Sequence, residues 1–272
     1  MEIKQSSMEN LVKVKIMSFK SEVKKEILIQ GKDKEMLNLT KKWMERAGKL
    51  KYSYHFEWMG RPIIQHPQDM IAAQQLIWDV KPDLIIETGI ARGGSLIFYA
   101  SLLELISQSG KNKKAKVLGI DIEIRKNNLR YIKEHPMFKR INLIEGPSTN
   151  KKIYEKVYKF SKKFKKIMVF LDSNHTGKHV FDELEIYAKL VTKNSYCIVF
   201  DTIIEDLPKV YGKNRSWGKN DNPKSALKKY LKKINQKSFF DLKKQKINFK
   251  IDKAIESQIL ISVAPGGFLK RL

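Results

Sequence analysis

The chain has 272 residues, 42% of them hydrophobic, which is enough for one substantial core or for one core with a small appendage. No apolar run approaches the roughly 20 residues of a membrane-spanning helix, and the N-terminus lacks a signal pattern. The single cysteine, Cys197, excludes an internal disulfide and a multi-cysteine zinc site. We therefore expect a cytoplasmic protein.

The net charge of +25 comes from 54 lysines and arginines against 29 aspartates and glutamates. Such a charge is compatible with nucleic acid or with peripheral contact to an anionic membrane. The basic residues are spread along the chain, however, and no arginine-rich tract or stacking aromatic motif of an RNA-binding module accompanies them. A solvated surface is therefore favoured over nucleic-acid binding, and an RNA methyltransferase remains an alternative.

The first 50 or so residues are polar and have apolar residues at approximately helical spacing, among them Val23, Ile27, Met36 and Trp43. This pattern predicts an N-terminal helical appendage over residues 1–57, ahead of a main domain over residues 58–272. The appendage either covers the active site or joins subunits, and we expect a homo-oligomer.

From residue 83 the pattern changes to short apolar runs separated by longer amphipathic stretches, which is typical of β-α alternation around a parallel sheet. Strands are predicted at 83–87, 116–121, 141–145, 167–172 and 196–201. Helices fit between them at 95–107, 126–134, 151–163 and 179–191. The fold class is therefore α/β, a doubly wound, mostly parallel, Rossmann-like sheet.

The segment after Asp201 is rich in turn formers, including Pro208, Gly212, Gly218 and Pro223, and predicts a lid or substrate loop. A helix is expected again over residues 224–234. A final strand is predicted over residues 258–263.

Four predicted strands end in an acidic residue: Glu87, Asp121, Asp172 and Asp201. The carboxyl ends of parallel strands form the ligand crevice of an open sheet, so these carboxylates should converge on one edge. A polar residue that merely ends an apolar strand would explain any one of these acids, but it explains the presence of all four poorly. The sequence therefore places a binding site there.

A glycine turn, Glu87–Ser95, follows the first strand of this sheet and lets the backbone approach a ligand closely, while Ser95 is placed to cap the next helix. It lacks the dinucleotide fingerprint, because residue 91 is alanine, and it lacks the Gly-Lys-Ser/Thr ending of a P-loop. Its E-x-G-x-x-x-G-x-S arrangement resembles the first motif of class I methyltransferases. That resemblance implies that Gly89 and Gly93 face the methionine part of S-adenosylmethionine.

Asp121 is placed to accept hydrogen bonds from ribose hydroxyls, as at the end of the second strand in dinucleotide-binding folds. The segment 145–149, which includes Ser148, would then lie near the adenine ring. By its resemblance to the methyltransferase motif, Glu87 interacts with the amino group of the cofactor, directly or through water. Arg92 faces either the cofactor carboxylate or solvent.

Four segments, 58–69, 81–89, 171–175 and 265–271, together resemble the cephalosporin hydroxylase / rhamnosyl O-methyltransferase family over residues 50–272. The resemblance implies a class I fold, S-adenosylmethionine as methyl donor, and magnesium beside it. It also suggests a sugar hydroxyl of a glycolipid, a polysaccharide or a related small molecule as the acceptor. A hydroxylase, the rival that the family name suggests, would need a facial triad of two histidines and one carboxylate.

The family's metal ligands correspond to Asp172 and to an acidic pair whose second member is Asp201, followed by Thr202. Phe200 stands where the first acid of the pair is expected, and a phenyl ring supplies no oxygen to Mg²⁺. Two carboxylates with waters can still hold the ion, and Glu205 or Asp206 would compensate if the loop folds back. A non-catalytic homologue is the alternative that Phe200 motivates.

Two histidines follow Asp172. His175 is placed to take a proton from an acceptor hydroxyl, since an ordinary histidine titrates near neutral pH, or to serve a structural role in its loop. Asp172 and His175 are therefore the catalytic candidates. His179 falls inside the next helix and is interpreted as structural.

Overall fold

The computed structural model describes residues 18–272, so the first 17 residues of the predicted appendage lie outside the described part. Two helices come first, α1 over residues 18–30 and α2 over Lys34–Lys49. Asp33 caps α2 by accepting a hydrogen bond from the Met36 amide at 2.9 Å. Within residues 18–272, none of the helices combines the length and the apolar character needed to cross a bilayer.

A short antiparallel hairpin, β1 (Phe56–Trp58) and β2 (Arg61–Ile63), follows α2. The Trp58 indole N–H donates to Ser101 Oγ at 3.2 Å, and a Cβ on Gly94 would come within 2.2 Å of the Pro62 carbonyl oxygen. The hairpin therefore lies directly against a later helix, α4 (Gly94–Gln108), and close to the turn that precedes this helix.

The central sheet has seven strands: β3 (Leu84–Thr88), β4 (Lys116–Asp121), β5 (Ile141–Glu145), β6 (Ile167–Leu171), β7 (Tyr196–Val199), β8 (Phe249–Ile251) and β9 (Phe268–Arg271). Their order is β5-β4-β3-β6-β7-β9-β8. The first five pair in parallel, and β9 runs antiparallel to both of its neighbours. The predicted doubly wound α/β fold is confirmed.

Helices flank both faces of this sheet: α3 (Pro67–Val80), α4 (Gly94–Gln108), α5 (Lys126–Glu134), α6 (Lys151–Ser161), α7 (Gly177–Tyr187), α8 (Pro208–Tyr211), α9 (Pro223–Gln236) and α10 (Lys253–Ile259). Alternate strand residues pack into two cores. Ile85, Phe170 and Ile198 face one, and Ile86 and Val169 face the other. Burial on both faces explains why the strands read as continuous apolar runs.

The predicted final strand at 258–263 is wrong. Asp252 caps α10 by accepting from the Ala254 amide at 3.2 Å, and the helix runs to Ile259 before Leu260 takes a left-handed conformation. A short apolar run has the same composition in a strand as in a partly buried helix. The last strand is β9, which begins just after Gly267.

Candidate functional site

A cavity of about 1350 Å³ opens at the carboxyl ends of the parallel strands. The loops after β3 through β7 line it, together with the end of α2 and part of the segment after β7. β3 is paired with β4 on one side and β6 on the other, so its end is the point at which the connections diverge in opposite directions. The volume exceeds that of a typical single-ligand pocket, about 300–1,000 Å³, and leaves room for two ligands.

Gly89 is the residue that fixes the shape of the turn after β3. Its φ is +82°, and an added Cβ would lie 2.0 Å from the carbonyl oxygen of Asp172. Gly93 also has a positive φ, +83°, but an added Cβ there would meet only the flexible side chain of Ile132. The backbone of this turn is therefore pressed against the loop after β6, which requires glycine at position 89.

Glu87 lies fully buried beneath the turn. Its Oε2 accepts a hydrogen bond from Ser95 Oγ at 2.8 Å, while Oε1 has no partner among residues 18–272. Burial raises the pKa of Glu87 to about 8. The prediction that Ser95 caps α4 is wrong, because Gly93 occupies the cap position without a side-chain bond and the Ser95 hydroxyl is engaged by Glu87.

Asp121 lines the cavity and holds the turn in place. Its Oδ2 accepts hydrogen bonds from the amides of Ile90 at 2.9 Å and Ala91 at 3.3 Å. Arg92 is exposed at the cavity wall, and its carbonyl oxygen accepts a hydrogen bond from Arg61. Asp121 therefore ties the ends of β3 and β4 together at the predicted ribose position.

Ser148 belongs to a polar cluster at the same end of the cavity. Its hydroxyl donates to Glu183 Oε1 at 2.6 Å, and Ser173 donates to the same oxygen at 2.8 Å. His179 Nε2 lies 3.2 Å from Ser148 Oγ and 3.1 Å from Ser173 Oγ. His179, interpreted from the sequence as structural, also lines the cavity. The sequence analysis did not single out Glu183, whose four-residue spacing from His179 on the helix after β6 was the available signal.

Asp172, His175 and Asp201 form a second cluster. Each offers one ligand atom within 4.8 Å of the others, and His175 Nε2 lies 3.1 Å from Asp201 Oδ2. Burial, and then the charge of Asp201, raise the pKa of Asp172 well above its usual range. Asp201 has a φ of 56°, a left-handed conformation that is often stored at functional sites.

This donor set fits a divalent cation, because oxygen ligands suit Mg²⁺ and a cation would relieve the repulsion between the two carboxylates. It contains one histidine and two carboxylates, so it is not the facial triad of an iron hydroxylase. Within residues 18–272, no other group of three such side chains is assembled.

Phe200 does not contribute a ligand to this cluster. Its ring is 2% exposed and stacks on Phe170 at 6.1 Å, and Phe170 stacks on Tyr99 at 4.4 Å. Phe200 therefore extends an aromatic column of the core to the floor of the cavity.

The predicted compensation by Glu205 or Asp206 is wrong. Glu205 Oε2 accepts hydrogen bonds from the Asn222 side chain at 2.5 Å and the Asn220 amide at 2.9 Å, and Asp206 pairs with Lys224 at 2.5 Å. Both acids hold the segment after β7 against the start of α9 instead of turning towards Asp201.

Gln65 and His66 are cavity-wall residues that the sequence assigned no role. They are 3% and 1% exposed, and neither side chain has a hydrogen-bond partner among the described residues. Burial lowers the pKa of His66 to about 4, so the ring is neutral at neutral pH. Unpaired buried polar groups are destabilising by about 1–3 kcal/mol each, so these two side chains are costly to the fold as they stand.

The segment 208–222, predicted as a lid or substrate loop, contributes to the wall of the cavity beyond His175. The Trp217 ring meets the His175 ring edge to face, with centroids 4.8 Å apart. The Trp217 indole donates to the Tyr211 carbonyl at 3.2 Å, and the Tyr211 hydroxyl donates to the Met44 carbonyl at 3.2 Å. The segment is thus tied to α2.

The family model described as Rhamnosyl O-methyltransferase/CmcI matches residues 50–272. A rhamnosyl O-methyltransferase of Mycobacterium leprae is 32% identical over 152 residues, which cover 56% of this chain and 62% of the relative. One from Mycobacterium tuberculosis strain H37Rv is 28% identical over 156 residues, covering 57% and 60%. The chain thus spans about three fifths of the length of these curated relatives.

Two solved structures share the fold. CmcI with magnesium and S-adenosylmethionine has a TM-score of 0.53 at 16% identity, covering 80% of this chain and 77% of that one. An apo structure of CmcI has a TM-score of 0.52 at 17% identity, with the same coverage. At these identities the likeness establishes the architecture of the sheet and its flanking helices.

Proposed function

Because the chain belongs to the Rhamnosyl O-methyltransferase/CmcI family, we propose that it transfers a methyl group from S-adenosylmethionine to a sugar hydroxyl. The observation that carries the proposal is one cavity with two differently built halves. The glycine turn, Asp121 and Ser148 form the first half, and the His175–Asp201 pair with its neighbours forms the second. We call these the cofactor half and the acceptor half.

The cofactor half offers backbone and side-chain partners for each part of S-adenosylmethionine. The turn at Gly89 brings the backbone to the methionine part, with Arg92 at the carboxylate. Glu87 lies beneath the turn, outside the cavity lining, and its unpaired oxygen is covered, so it would reach the amino group only after the turn above it shifts or admits a water. Asp121 would exchange its amide bonds for ribose hydroxyls, and Ser148 would lie by the adenine.

In the acceptor half, His175 is placed to act as the base. In the tautomer with a proton on Nε2, that nitrogen donates to Asp201 and Nδ1 is left to accept the proton of the attacking hydroxyl. Asp201 holds the ring in this orientation, as a carboxylate does for histidine in other acid–base pairs. S-adenosylmethionine supplies the methyl group, and the protein's contribution is mainly alignment and deprotonation.

Asp172 and Asp201 would hold Mg²⁺ together with waters. A cation there would polarise the acceptor oxygen and make its proton easier to remove. Because Phe200 provides no third carboxylate, we expect weaker metal binding than a three-acid site would give.

The acceptor is proposed to be rich in hydroxyl groups, as in a glycolipid or a polysaccharide. Neutral His66 and Gln65 each carry both a donor and an acceptor in the cavity wall, and these atoms, which are covered in the structure, would pair with acceptor hydroxyl groups after a shift of the side chains. The exposed apolar side chains of Met36, Leu37 and Leu39 on α2 support contact between subunits of a homo-oligomer, or peripheral contact with a membrane.

Isothermal titration with S-adenosylhomocysteine and a radiolabel assay with methyl rhamnosides test the proposal. We expect saturable one-to-one binding of the cofactor product and label incorporation that requires His175. Absence of cofactor binding would overturn the proposal. Binding without transfer to any of a broad panel of sugars would instead favour a non-catalytic homologue.

A further inference from the structure

Charges are segregated within the cavity. The three acidic residues that line it, Asp121, Asp172 and Asp201, lie at or just after the ends of parallel strands. The rim on the acceptor side carries cations: Lys51 comes from the end of α2, and Lys209, Lys213 and Arg215 come from the segment 208–222. We call these four residues the basic rim. Neither α2 nor the segment 208–222 contributes an acidic residue to the cavity lining.

The two parts of the basic rim are fixed relative to each other. An added Cβ on Gly48 would lie 2.5 Å from Val210 Cγ1 and 2.9 Å from Tyr211 Cζ, so α2 and α8 are in close contact there. The Tyr211 hydroxyl binds the Met44 carbonyl on α2. Lys51 lies immediately beyond this contact, and its own backbone is left-handed, with a φ of 54°. The rim is thus one surface made by two elements.

The cations of the basic rim form no ion pair with any residue in the range 18–272. Lys49, which also lines the cavity, differs because it pairs with Glu45 at 2.7 Å. Within residues 18–272 six lysines form ion pairs, for example Lys224 with Asp206 and Lys233 with Glu185. What distinguishes the basic rim is therefore that its cations lie together around one opening. Four unbalanced like charges around one opening repel each other and attract an anion.

We propose that the acceptor carries a phosphate or diphosphate group, which the basic rim binds while the sugar hydroxyl reaches His175. This inference rests on the proposed function, because it concerns the acceptor of the same reaction. Trp217 lies between the rim and the base: its ring contacts His175, and the Arg215 guanidinium lies 5.4 Å from the ring centroid. A sugar ring packed on Trp217 therefore joins the two sites, with its anionic substituent at Arg215.

Phosphate has the chemistry that this rim recognises, because an arginine fork and flexible lysines bind its oxygens with charge-assisted hydrogen bonds. A nucleotide-linked sugar and a lipid-linked sugar share this group. Uridine diphosphate and farnesyl diphosphate, compared with inorganic pyrophosphate, distinguish the two sources. Methyl rhamnoside is the neutral comparison.

The test is isothermal titration of these probes into protein saturated with S-adenosylhomocysteine. We expect pyrophosphate to bind, with an affinity that falls as salt is raised, and the double variant Lys213→Glu/Arg215→Glu to weaken it at least about tenfold. The double variant Lys156→Glu/Lys159→Glu on α6 changes the net charge equally, away from the cavity, and should bind pyrophosphate like the unmodified protein. Tighter binding of either organic diphosphate identifies the source.

Binding of S-adenosylhomocysteine to all three proteins separates this inference from the proposed function. If the unmodified protein does not bind it, the proposed function fails. If it binds and pyrophosphate does not, or if both double variants weaken pyrophosphate equally, the anionic acceptor is excluded while the methyltransferase proposal stands.

Discussion

The cofactor half and the acceptor half of the cavity are built in different ways. The first is made from short segments that directly follow adjacent parallel strands, and its key groups are backbone atoms and buried side chains such as Gly89 and Glu87. The second adds to the loops that carry His175 and Asp201 three further elements that are far apart in sequence: α2, the Gln65–His66 turn and the segment 208–222. A sheet edge suits a constant cofactor, and exposed side chains on a connecting segment, such as Lys213 and Arg215, suit a particular acceptor.

The largest effect is expected where the cofactor half depends on backbone shape. Gly89→Ala introduces a Cβ 2.0 Å from the Asp172 carbonyl oxygen at a φ of +82°. We expect binding of S-adenosylhomocysteine to weaken at least about 100-fold, which is about 2.7 kcal/mol, and methyl transfer to be lost. Titration calorimetry checks the binding.

Gly110→Ala is the matched control for that variant. Gly110 has a φ of +78°, yet an added Cβ there would meet nothing within 4 Å. Only the backbone strain remains, about 1–2 kcal/mol of stability, and cofactor binding should be unchanged. Equal losses of binding in the two variants would contradict a role for close approach at Gly89.

The acceptor half should fail in the opposite way, by losing turnover while it keeps the cofactor. His175→Gln is expected to reduce kcat by about 10²–10⁴-fold, because the base is removed, and to leave S-adenosylhomocysteine binding intact. Asp201→Asn combined with it should add little, since the two residues act as a unit. His55→Gln, an exposed histidine outside the cavity, should be silent. Loss of cofactor binding in His175→Gln would break the division into halves.

The same division explains what the sequence could predict. The strand over Lys116–Asp121 depends on a local apolar run, and the turn at Gly89 depends on a conformation that few residues adopt. Both could therefore be predicted from the sequence. The contact of Trp217 with His175 joins residues 42 positions apart through a loop, and no periodicity encodes it. Ser95 has the residue type of a helix cap, but buried Glu87 competes for its hydroxyl.

Phe200 tests whether the boundary between the halves can be altered. Phe200→Glu supplies the missing carboxylate beside Asp172 and Asp201 but removes a ring from the core, so we expect about 3 kcal/mol or more of destabilisation without metal. Mg²⁺ at 100 times its Kd should restore about 2.7 kcal/mol of the free energy of unfolding of this variant. Thermal unfolding with and without Mg²⁺ measures both.

Phe200→Leu is the comparison, because it removes the ring without adding a ligand. We expect this variant to lose about 1–3 kcal/mol of stability, and we expect Mg²⁺ to stabilise it no more than it stabilises the unmodified protein. A similar gain in Phe200→Leu and Phe200→Glu would show that position 200 has no access to the metal.

The smallest effects concern two buried groups at the start of α3, Asp69 and His66, whose contributions to stability change with pH in opposite directions. Burial raises the pKa of Asp69 to about 7, while Ser262 and the Val263 amide, at 2.6 and 3.0 Å, oppose the shift; burial lowers that of His66 to about 4. Between about pH 4 and 7 the folded protein holds a proton on Asp69 that the unfolded chain releases, so this group makes stability fall as pH rises. His66 does the reverse between about pH 4 and 6.5, because only the unfolded chain binds the proton.

Two variants test these opposite slopes. Relative to the unmodified protein, Asp69→Asn should gain stability as the pH rises from about 4 to 7, and His66→Gln should gain stability as the pH falls from about 6.5 to 4. Each difference should change by up to about 1.4 kcal/mol per pH unit. Urea unfolding at pH 4.5, 5.5 and 6.5 measures both differences. Slopes of the same sign would mean that one of the two groups is hydrated in the folded protein, and that the start of α3 is more open to water than its buried side chains indicate.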